Sequence, residues 1–110
     1  LAICTAAVTD FKPQKIKKNK IKKENFSKGL ALEKTEDILD FLGKNNMHRP
    51  KIVVGFSAET ENVIQNSKVK IKEKYCDFIV ANDISKKSYG FNSEYNKVSI
   101  IDKKGRINEL

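Results

Sequence analysis

At 110 residues the chain has room for one domain or part of one, and a hydrophobic fraction of 39% supports a modest core. The formal net charge is +8, and the seven lysines between Lys12 and Lys23 supply most of it, so the remainder is close to balance. That distribution argues against a uniformly basic surface of the kind that coats nucleic acid; it describes one basic arm on an ordinary domain. Cys4 and Cys76 lie in apolar settings without CxxC spacing, which argues against zinc and dithiol chemistry and favours a reducing cytoplasm. The apolar run Leu1 to Val8 is far too short for a membrane span and lacks the charged leader and cleavage site of a signal peptide, so no membrane partner is expected. Because the chain starts without Met, already inside a strand-like run, it is expected to be a fragment whose first part is removed or lies on another chain.

In chain order, Leu1 to Val8 has the near-continuous apolar character of a strand buried on both faces, the habit of a parallel sheet. Asp10 presents a lone acid where that strand ends. The arm follows, with an internal repeat: Lys15-Ile16-Lys17-Lys18-Asn19, then Lys20-Ile21-Lys22-Lys23-Glu24. Isoleucines flanked by lysines favour an extended ribbon, since one side can pack while the other is solvated. A lone carboxylate beside a cationic arm suits a polyanion with a divalent metal: the acid holds the metal while lysines neutralise phosphate oxygens.

Phe26 to Leu32 reads as a strand with Leu30 and Leu32 on one side. Thr35 is the expected N-cap of a helix, with Glu36 and Asp37 in its first turn, where the helix dipole favours negative charge. Ile38, Leu39, Phe41 and Leu42 form its buried stripe, and Gly43 is its stop signal. His48-Arg49-Pro50 reads as a loop and Lys51 to Phe56 as the second buried strand. A turn at Ser57-Ala58-Glu59 leads to a helix from about Thr60 to Tyr75, with Val63, Ser67, Ile71 and Tyr75 facing inward.

Asp77 to Ala81 is the third buried strand, with Asn82-Asp83 at its carboxyl end. Lys86 to Ser93 reads as a loop around Gly90-Phe91; Asn96 to Asp102 and Ile107 to Leu110 form a closing hairpin. Strands alternating with helices predict an open α/β sheet, in which ligands sit beyond the carboxyl ends of the strands. Asp10, Phe56 and Asn82-Asp83 fall at that edge.

The segments Ala6-Ala7-Val8-Thr9-Asp10-Phe11-Lys12-Pro13, Lys20-Ile21-Lys22-Lys23, Val54-Gly55-Phe56-Ser57-Ala58-Glu59-Thr60 and Ile79-Val80-Ala81-Asn82-Asp83 carry a resemblance. In order, from about Ile3 to Asn96, they resemble the successive motifs of phosphopantothenoylcysteine synthetase. That family is the synthetase half of a bacterial bifunctional coenzyme A enzyme whose other half is a flavin-dependent decarboxylase. The resemblance implies a Rossmann-like, three-layer α/β/α fold with a mostly parallel sheet. It implies that residues 1–110 are the C-terminal portion of the synthetase domain, with residues 11–26 as a basic flap that reaches across a homodimer. It also implies a cytoplasmic enzyme in which the carboxylate of 4'-phosphopantothenate attacks the α-phosphorus of CTP. Cysteine then captures the acyl-cytidylate.

Carried over by motif, Asp10 is the family's nucleotide-site acid, contacting Mg²⁺ or the ribose; by position alone it reads equally as a turn aspartate. Lys20 is the catalytic arm lysine facing the triphosphate, although Lys15 opens an identical tetrapeptide. Lys70 and Lys74 are the nucleotide-site helix lysines; four-residue spacing puts them on one side of a helix, where like charges disfavour each other by about 0.2–0.5 kcal/mol. A bound polyanion relieves that repulsion, and without the family they read as surface lysines. Phe56 would cover the cytidine or else belong to the core, and Ala6 and Ala7 would offer backbone groups and room for the base. Glu36, Asp37, Ile38 and Leu39 match the nucleotide loop, with Thr35-Glu36 where the family has Asn-Pro. Asn82, Asp83 and Phe91 are substrate-side residues, and Glu94 stands where the family has Asp.

The family's first strands and glycine-rich turn do not precede Leu1 and no flavin-binding half is present, so no flavin is expected here. The N-terminal remainder and the decarboxylase are expected as partner segments, and the chain alone should show little or no turnover. Two other readings fit parts of the sequence. A non-enzymatic basic module binding RNA or DNA through residues 12–23 explains the charge but leaves Phe56 and Asn82 without a role, and only Phe11 and Phe26 flank the run. An ATP-using ligase of the same fold differs only in the base.

Overall fold

A buried aspartate and three short parallel strands fix the architecture. The computed structural model describes residues 1–15, 19–20, 22, 29–45, 47–85 and 97–110. In chain order the elements are β1 (Ala2–Cys4), β2 (Phe11–Pro13), β3 (Leu32–Lys34), α1 (Ile38–Lys44), β4 (Val53–Glu59), α2 (Val63–Glu73), β5 (Phe78–Asp83), β6 (Val98–Asp102) and β7 (Ile107–Glu109). They form two units, Leu1–Ala6 with Ile38–Leu110, and Ala7–Asp37.

The larger unit is a five-stranded sheet in the order β1-β4-β5-β6-β7. β1, β4 and β5 are parallel; β6 and β7 are antiparallel and form the closing hairpin expected from the sequence. Register decides which side chains share a face. Cys4, Gly55, Ile79 and Ile101 align on one face, and Ile3, Val54 and Phe78 on the other. The first face is the core: Val53, Ile79, Ala81 and Ile101 are fully buried with Ile71 of α2, and Leu39, Val63 and Ile64 pack against them. Both helices therefore cover the same face. The α/β class is as expected, present as its sheet and one helix layer.

That asymmetry corrects one expectation. The Leu1 to Val8 run is not buried on both faces: β1 is three residues long, Ile3 is 57% exposed, and Val8 lies outside any strand. Among the described residues, nothing pairs with the outer edge of β1.

Other boundaries shift for reasons visible in the contacts. Ser57-Ala58-Glu59 is strand rather than turn, because β5 pairs with β4 from Val54 through Glu59. For the same reason Asn82 and Asp83 end β5 instead of following it. β4 starts at Val53, two residues later than expected. Helix α2 starts at Val63, after Asn62 takes a left-handed backbone with φ 49°. It ends in a Schellman turn: Tyr75 sits at φ 52°, Cys76 N–H donates to Ile71 O (3.0 Å), and Tyr75 N–H to Lys72 O (3.4 Å). Tyr75 therefore lies beyond the helix and is exposed, contrary to its expected inward position, while Cys76 packs into the core as expected.

Gly43 does not stop α1; it is buried inside it, because a Cβ there would lie 1.8 Å from the carbonyl oxygen of Lys74. Thr35 does not cap α1 either. The helix begins at Ile38, so Glu36 and Asp37 precede its first turn, and the Thr35 hydroxyl donates to the Thr9 carbonyl.

The smaller unit is a two-stranded antiparallel ribbon, with Phe11 opposite Lys34 and Pro13 opposite Leu32. Its second strand is Leu32–Lys34, set by pairing with β2, so the expected strand reaches two residues further than Leu32; the first part of that expected strand, residues 26–28, lies outside the described residues. Lys12 Nζ lies 3.2 Å from Glu33 across the ribbon. Most of the arm repeat, residues 16–18, 21 and 23–28, and the loop at 86–96 lie outside the described residues.

Asp77 ties the larger unit together. Its carboxylate accepts from Lys103 Nζ (2.7 Å), Arg49 Nη2 (2.9 Å) and the Val53 backbone N–H (3.0 Å). Arg49, read from sequence only as a loop residue, also donates to the carbonyls of Gly43, Pro50 and Tyr75. Burial alone would raise the Asp77 pKa, but the bonds from Lys103, Val53 and Arg49 outweigh it and hold it down to about 2. A carboxyl depressed on folding adds stability that is complete above its unfolded value, near pH 4, and disappears as pH falls through the folded value. Denaturant titrations of the wild type and Asp77→Asn should therefore show a gap at neutral pH that narrows by about 2 kcal/mol between pH 4 and pH 2.

Candidate active site

The carboxyl end of β4 carries the most informative contact. Ile52 O accepts the N–H of Ala2 of β1, and alternate carbonyls along a strand point the same way. The Phe56 carbonyl therefore points to the β1 side, beyond Cys4, the last residue of β1 registered with β4. Lys70, from the last turns of α2, donates its ammonium to that carbonyl at 3.0 Å. A cation thus stands past the end of β1, at the carboxyl edge where open α/β sheets receive ligands. Among the described residues no carboxylate lies within ion-pair distance of it.

Lys74 stands four residues on, at the helix C-cap, with its N–H bonded to Lys70 O. Its ammonium turns to α1 and lies 3.5 Å from Asp40, which also pairs with Lys44 at 2.8 Å. The Lys44 hydrogen bond leads the causes that hold the Asp40 carboxyl below its ordinary value. The two helix lysines thus have different partners, a strand carbonyl and a carboxylate. This limits the like-charge repulsion that spacing alone implied.

Leu39 of α1 lies over Gly55, where a Cβ would approach its Cδ2 to 2.7 Å and Ile79 Cδ1 to 2.8 Å. The missing side chain lets α1 settle onto β4, which fixes the start of α1 at Ile38-Leu39 above the same strand as Phe56. Phe56 is 38% exposed on the sheet face that the helices leave open. Glu59, the acid of the same motif, is occupied: it accepts from Ser57 Oγ (2.6 Å) and Asn66 Nδ2 (3.2 Å). At the end of β5, Asp83 accepts the Ser85 N–H, while Asn82 Oδ1 is buried with no hydrogen-bond partner among the described residues.

In the smaller unit, Thr35 is the residue whose part was missed. Its N–H donates to Asp10 O (2.9 Å) and its hydroxyl to Thr9 O. This staple holds Asp10 beside the stretch that continues into Glu36 and Asp37, uniting two separate motifs of the sequence. A strand-flanking threonine gives little signal by itself, since its composition fits a cap equally well. Ala7, Asp10, Lys15 and Lys20 are exposed; Phe91 lies outside the described residues.

Among the described residues, no group of three or more His, Cys, Asp or Glu could hold a metal by itself. A lone carboxylate at Asp10 instead fits Mg²⁺ that takes the rest of its shell from phosphate oxygens and water. No helix, among the described residues, is long and apolar enough to cross a membrane.

The larger unit is thus an open α/β sheet with Lys70 at the carboxyl end of its parallel strands. The family model of the DNA/pantothenate metabolism flavoprotein C-terminal domain matches residues 1–110, and the chain belongs to that family. It is similar to the "Coenzyme A biosynthesis bifunctional protein CoaBC" of Bacillus subtilis (strain 168), 39% identical over 110 residues. It is also similar to the protein of that name from Borreliella burgdorferi, 43% identical over 112 residues. All of the chain is matched in both cases, but it spans only 27% of each of those relatives. Among solved structures, the C-terminal domain of a CoaBC protein superposes with a TM-score of 0.69 at 33% identity, covering 98% of this chain and 43% of that one.

The Gly55 contact gives a test of the site's framework. Gly55→Val should lower stability by about 1–3 kcal/mol, measured by chemical denaturation, because Leu39 and Ile79 must move apart. The same substitution at exposed Ala58 should cost less than about 0.5 kcal/mol.

Proposed function

We propose that this chain is the C-terminal portion of a phosphopantothenate–cysteine ligase that works in coenzyme A biosynthesis and uses CTP. The carboxylate of 4'-phosphopantothenate attacks the α-phosphorus of CTP and releases pyrophosphate. The amine of cysteine then attacks the acyl-cytidylate, forming the amide and releasing CMP. Such chemistry asks the protein for charge neutralisation and alignment more than for covalent help. The observation that carries the reading is the match of one family along the whole chain, with a helix lysine standing at the carboxyl edge where that reading needs a cation.

In this reading Lys70 exchanges the neutral Phe56 carbonyl for a phosphate oxygen, and Lys74 shares its charge between Asp40 and the triphosphate. Phe56 covers the cytidine, and Ala6 and Ala7 leave room for the base. Ile38 and Leu39 start the helix beside the nucleotide, after the Glu36-Asp37 loop. Lys20 from the flap, residues 11–26, faces the charge that develops on the reacting phosphate. Mg²⁺ held by Asp10 and phosphate oxygens would supply further neutralisation. Asn82 would meet a substrate donor with its buried oxygen, and Asp83 and Phe91 lie on the substrate side. The working unit is a cytoplasmic homodimer, with the N-terminal remainder of the synthetase and a flavin-dependent decarboxylase domain in the full protein.

Thermal shift of the complete synthetase domain with Mg²⁺ and CTP, ATP or an oligonucleotide tests this. CTP should raise the midpoint most, and a shift with the oligonucleotide alone would overturn the reading. Lys70→Ala and Lys74→Ala should each weaken CTP binding about tenfold or more. Their stability should change by less than about 1 kcal/mol, since both side chains are partly exposed. Lys20→Ala should abolish most turnover while Lys15→Ala retains it.

A further inference from the structure

Three charged side chains of the larger unit are linked, and the chemistry proposed above uses one end of the link. Asp40, in the first turn of α1, pairs with Lys44 one turn on (2.8 Å) and with Lys74 at the C-cap of α2 (3.5 Å). The two pairs are unequal. At 2.8 Å the Lys44 ammonium makes a short charge-assisted hydrogen bond, whereas Lys74 at 3.5 Å stands beyond the usual hydrogen-bond range. Of the contacts that hold the Asp40 carboxyl below its ordinary value, the Lys44 bond contributes most and the Lys74 bond least. The ring of Tyr75, 5.9 Å from its ammonium, steadies Lys44 from another side. The backbones that carry these charges are fixed against each other. Gly43 packs so closely on the Lys74 carbonyl that no Cβ fits there. Arg49 donates to the carbonyls of Gly43 and Tyr75, which ties the last turn of α1 to the end of α2. Side-chain torsion is then what moves Lys74 toward or away from Asp40.

We infer that Asp40 is a parking acceptor for Lys74, and that Lys44, without touching the ligand, sets how firmly the parked lysine is held. The device rests on the nucleotide reading above, in which Lys74 turns to a phosphate group. An ion pair given up for a ligand ordinarily strands its carboxylate, and that loss is subtracted from the binding free energy. Here Lys44 stays on Asp40 when Lys74 leaves, so the carboxylate keeps a cation. Without Lys44, Asp40 closes on Lys74, and releasing it to a phosphate costs more. Without the Asp40 charge, Lys74 is released from the start and Lys44 no longer matters to the ligand. Lys44 is thus a positioning residue that acts through Asp40. The affinity for a polyanion is tuned outside the contacts that the polyanion makes.

Titration calorimetry of the complete-length protein with CTP and Mg²⁺, at constant ionic strength and with 4'-phosphopantothenate withheld, tests this. Lys44→Ala should weaken CTP binding about threefold to tenfold, and Asp40→Asn should tighten it by a similar factor. Tightening is an outcome that a damaged fold would not give. Lys44→Arg, which keeps a cation one turn from Asp40, should bind within about twofold of wild type. The deciding comparison is the double variant Asp40→Asn with Lys44→Ala, which should match Asp40→Asn within about twofold. A lysine acting on the nucleotide from a distance would weaken binding equally in both backgrounds, and that result would overturn the inference. So would equal CTP affinity of Lys44→Ala and wild type. Asp40→Asn should also lose its effect when Lys74 is replaced by alanine. Tightening that persists there would overturn the device and leave the nucleotide reading intact. Wild type that does not bind CTP, or Lys74→Ala that binds it like wild type, would overturn the reading together with the device.

Discussion

The larger unit depends on one buried carboxylate. Asp77 receives the Val53 N–H at the start of β4, Arg49 from the preceding loop and Lys103 from the closing hairpin. Three segments far apart in sequence converge on its two oxygens. Arg49 extends the node, because its remaining donors satisfy carbonyls of α1 and of the turn after α2. An aspartate so enclosed resists protonation because the neutral form would strand two cations and a backbone donor. Losing one partner of such a node costs more than an exposed ion pair would.

The node sits at the amino end of the parallel strands and leaves the carboxyl end for chemistry. There the structure uses backbone economy: a carbonyl of β4 beyond the reach of β1 is taken up by the Lys70 ammonium. An ammonium held by one neutral acceptor keeps most of its charge available, unlike Lys74, which shares Asp40 with Lys44. The smaller unit has its own organising contact, the Thr35 staple on Thr9 and Asp10.

Much of this was legible in sequence. Three apolar runs marked the parallel strands and the Val63-Ser67-Ile71 spacing marked α2, but of the stripe expected in α1 only Leu39 and Leu42 are half-buried, while Ile38 and Phe41 are exposed. What composition hid was partnership. Ser57-Ala58-Glu59 looks like a turn, but six-residue pairing with β5 keeps it extended. Gly43 looks like a helix stop, yet it is there because the Lys74 carbonyl leaves no space for a Cβ. Thr35 looks like a cap, but its hydroxyl is used across the chain. Arg49 could not be recognised as an anchor, since its partners are carbonyls that any residue supplies. Of the candidate site, the lysines of α2 and the β4 motif were legible through family resemblance. The Phe56 carbonyl as a partner for Lys70 was not, because it depends on where β1 stops.

The central claim is a two-step ligation through an acyl-cytidylate, and the intermediate is its most direct test. Complete-length protein mixed with CTP, Mg²⁺ and 4'-phosphopantothenate, with cysteine withheld, should release pyrophosphate in stoichiometric amount and hold the acyl-cytidylate of 4'-phosphopantothenate. Mass spectrometry of the quenched mixture would detect it, and added cysteine should convert it to the amide and CMP. Release of CDP and phosphate instead, or no pyrophosphate before cysteine is added, would contradict the account.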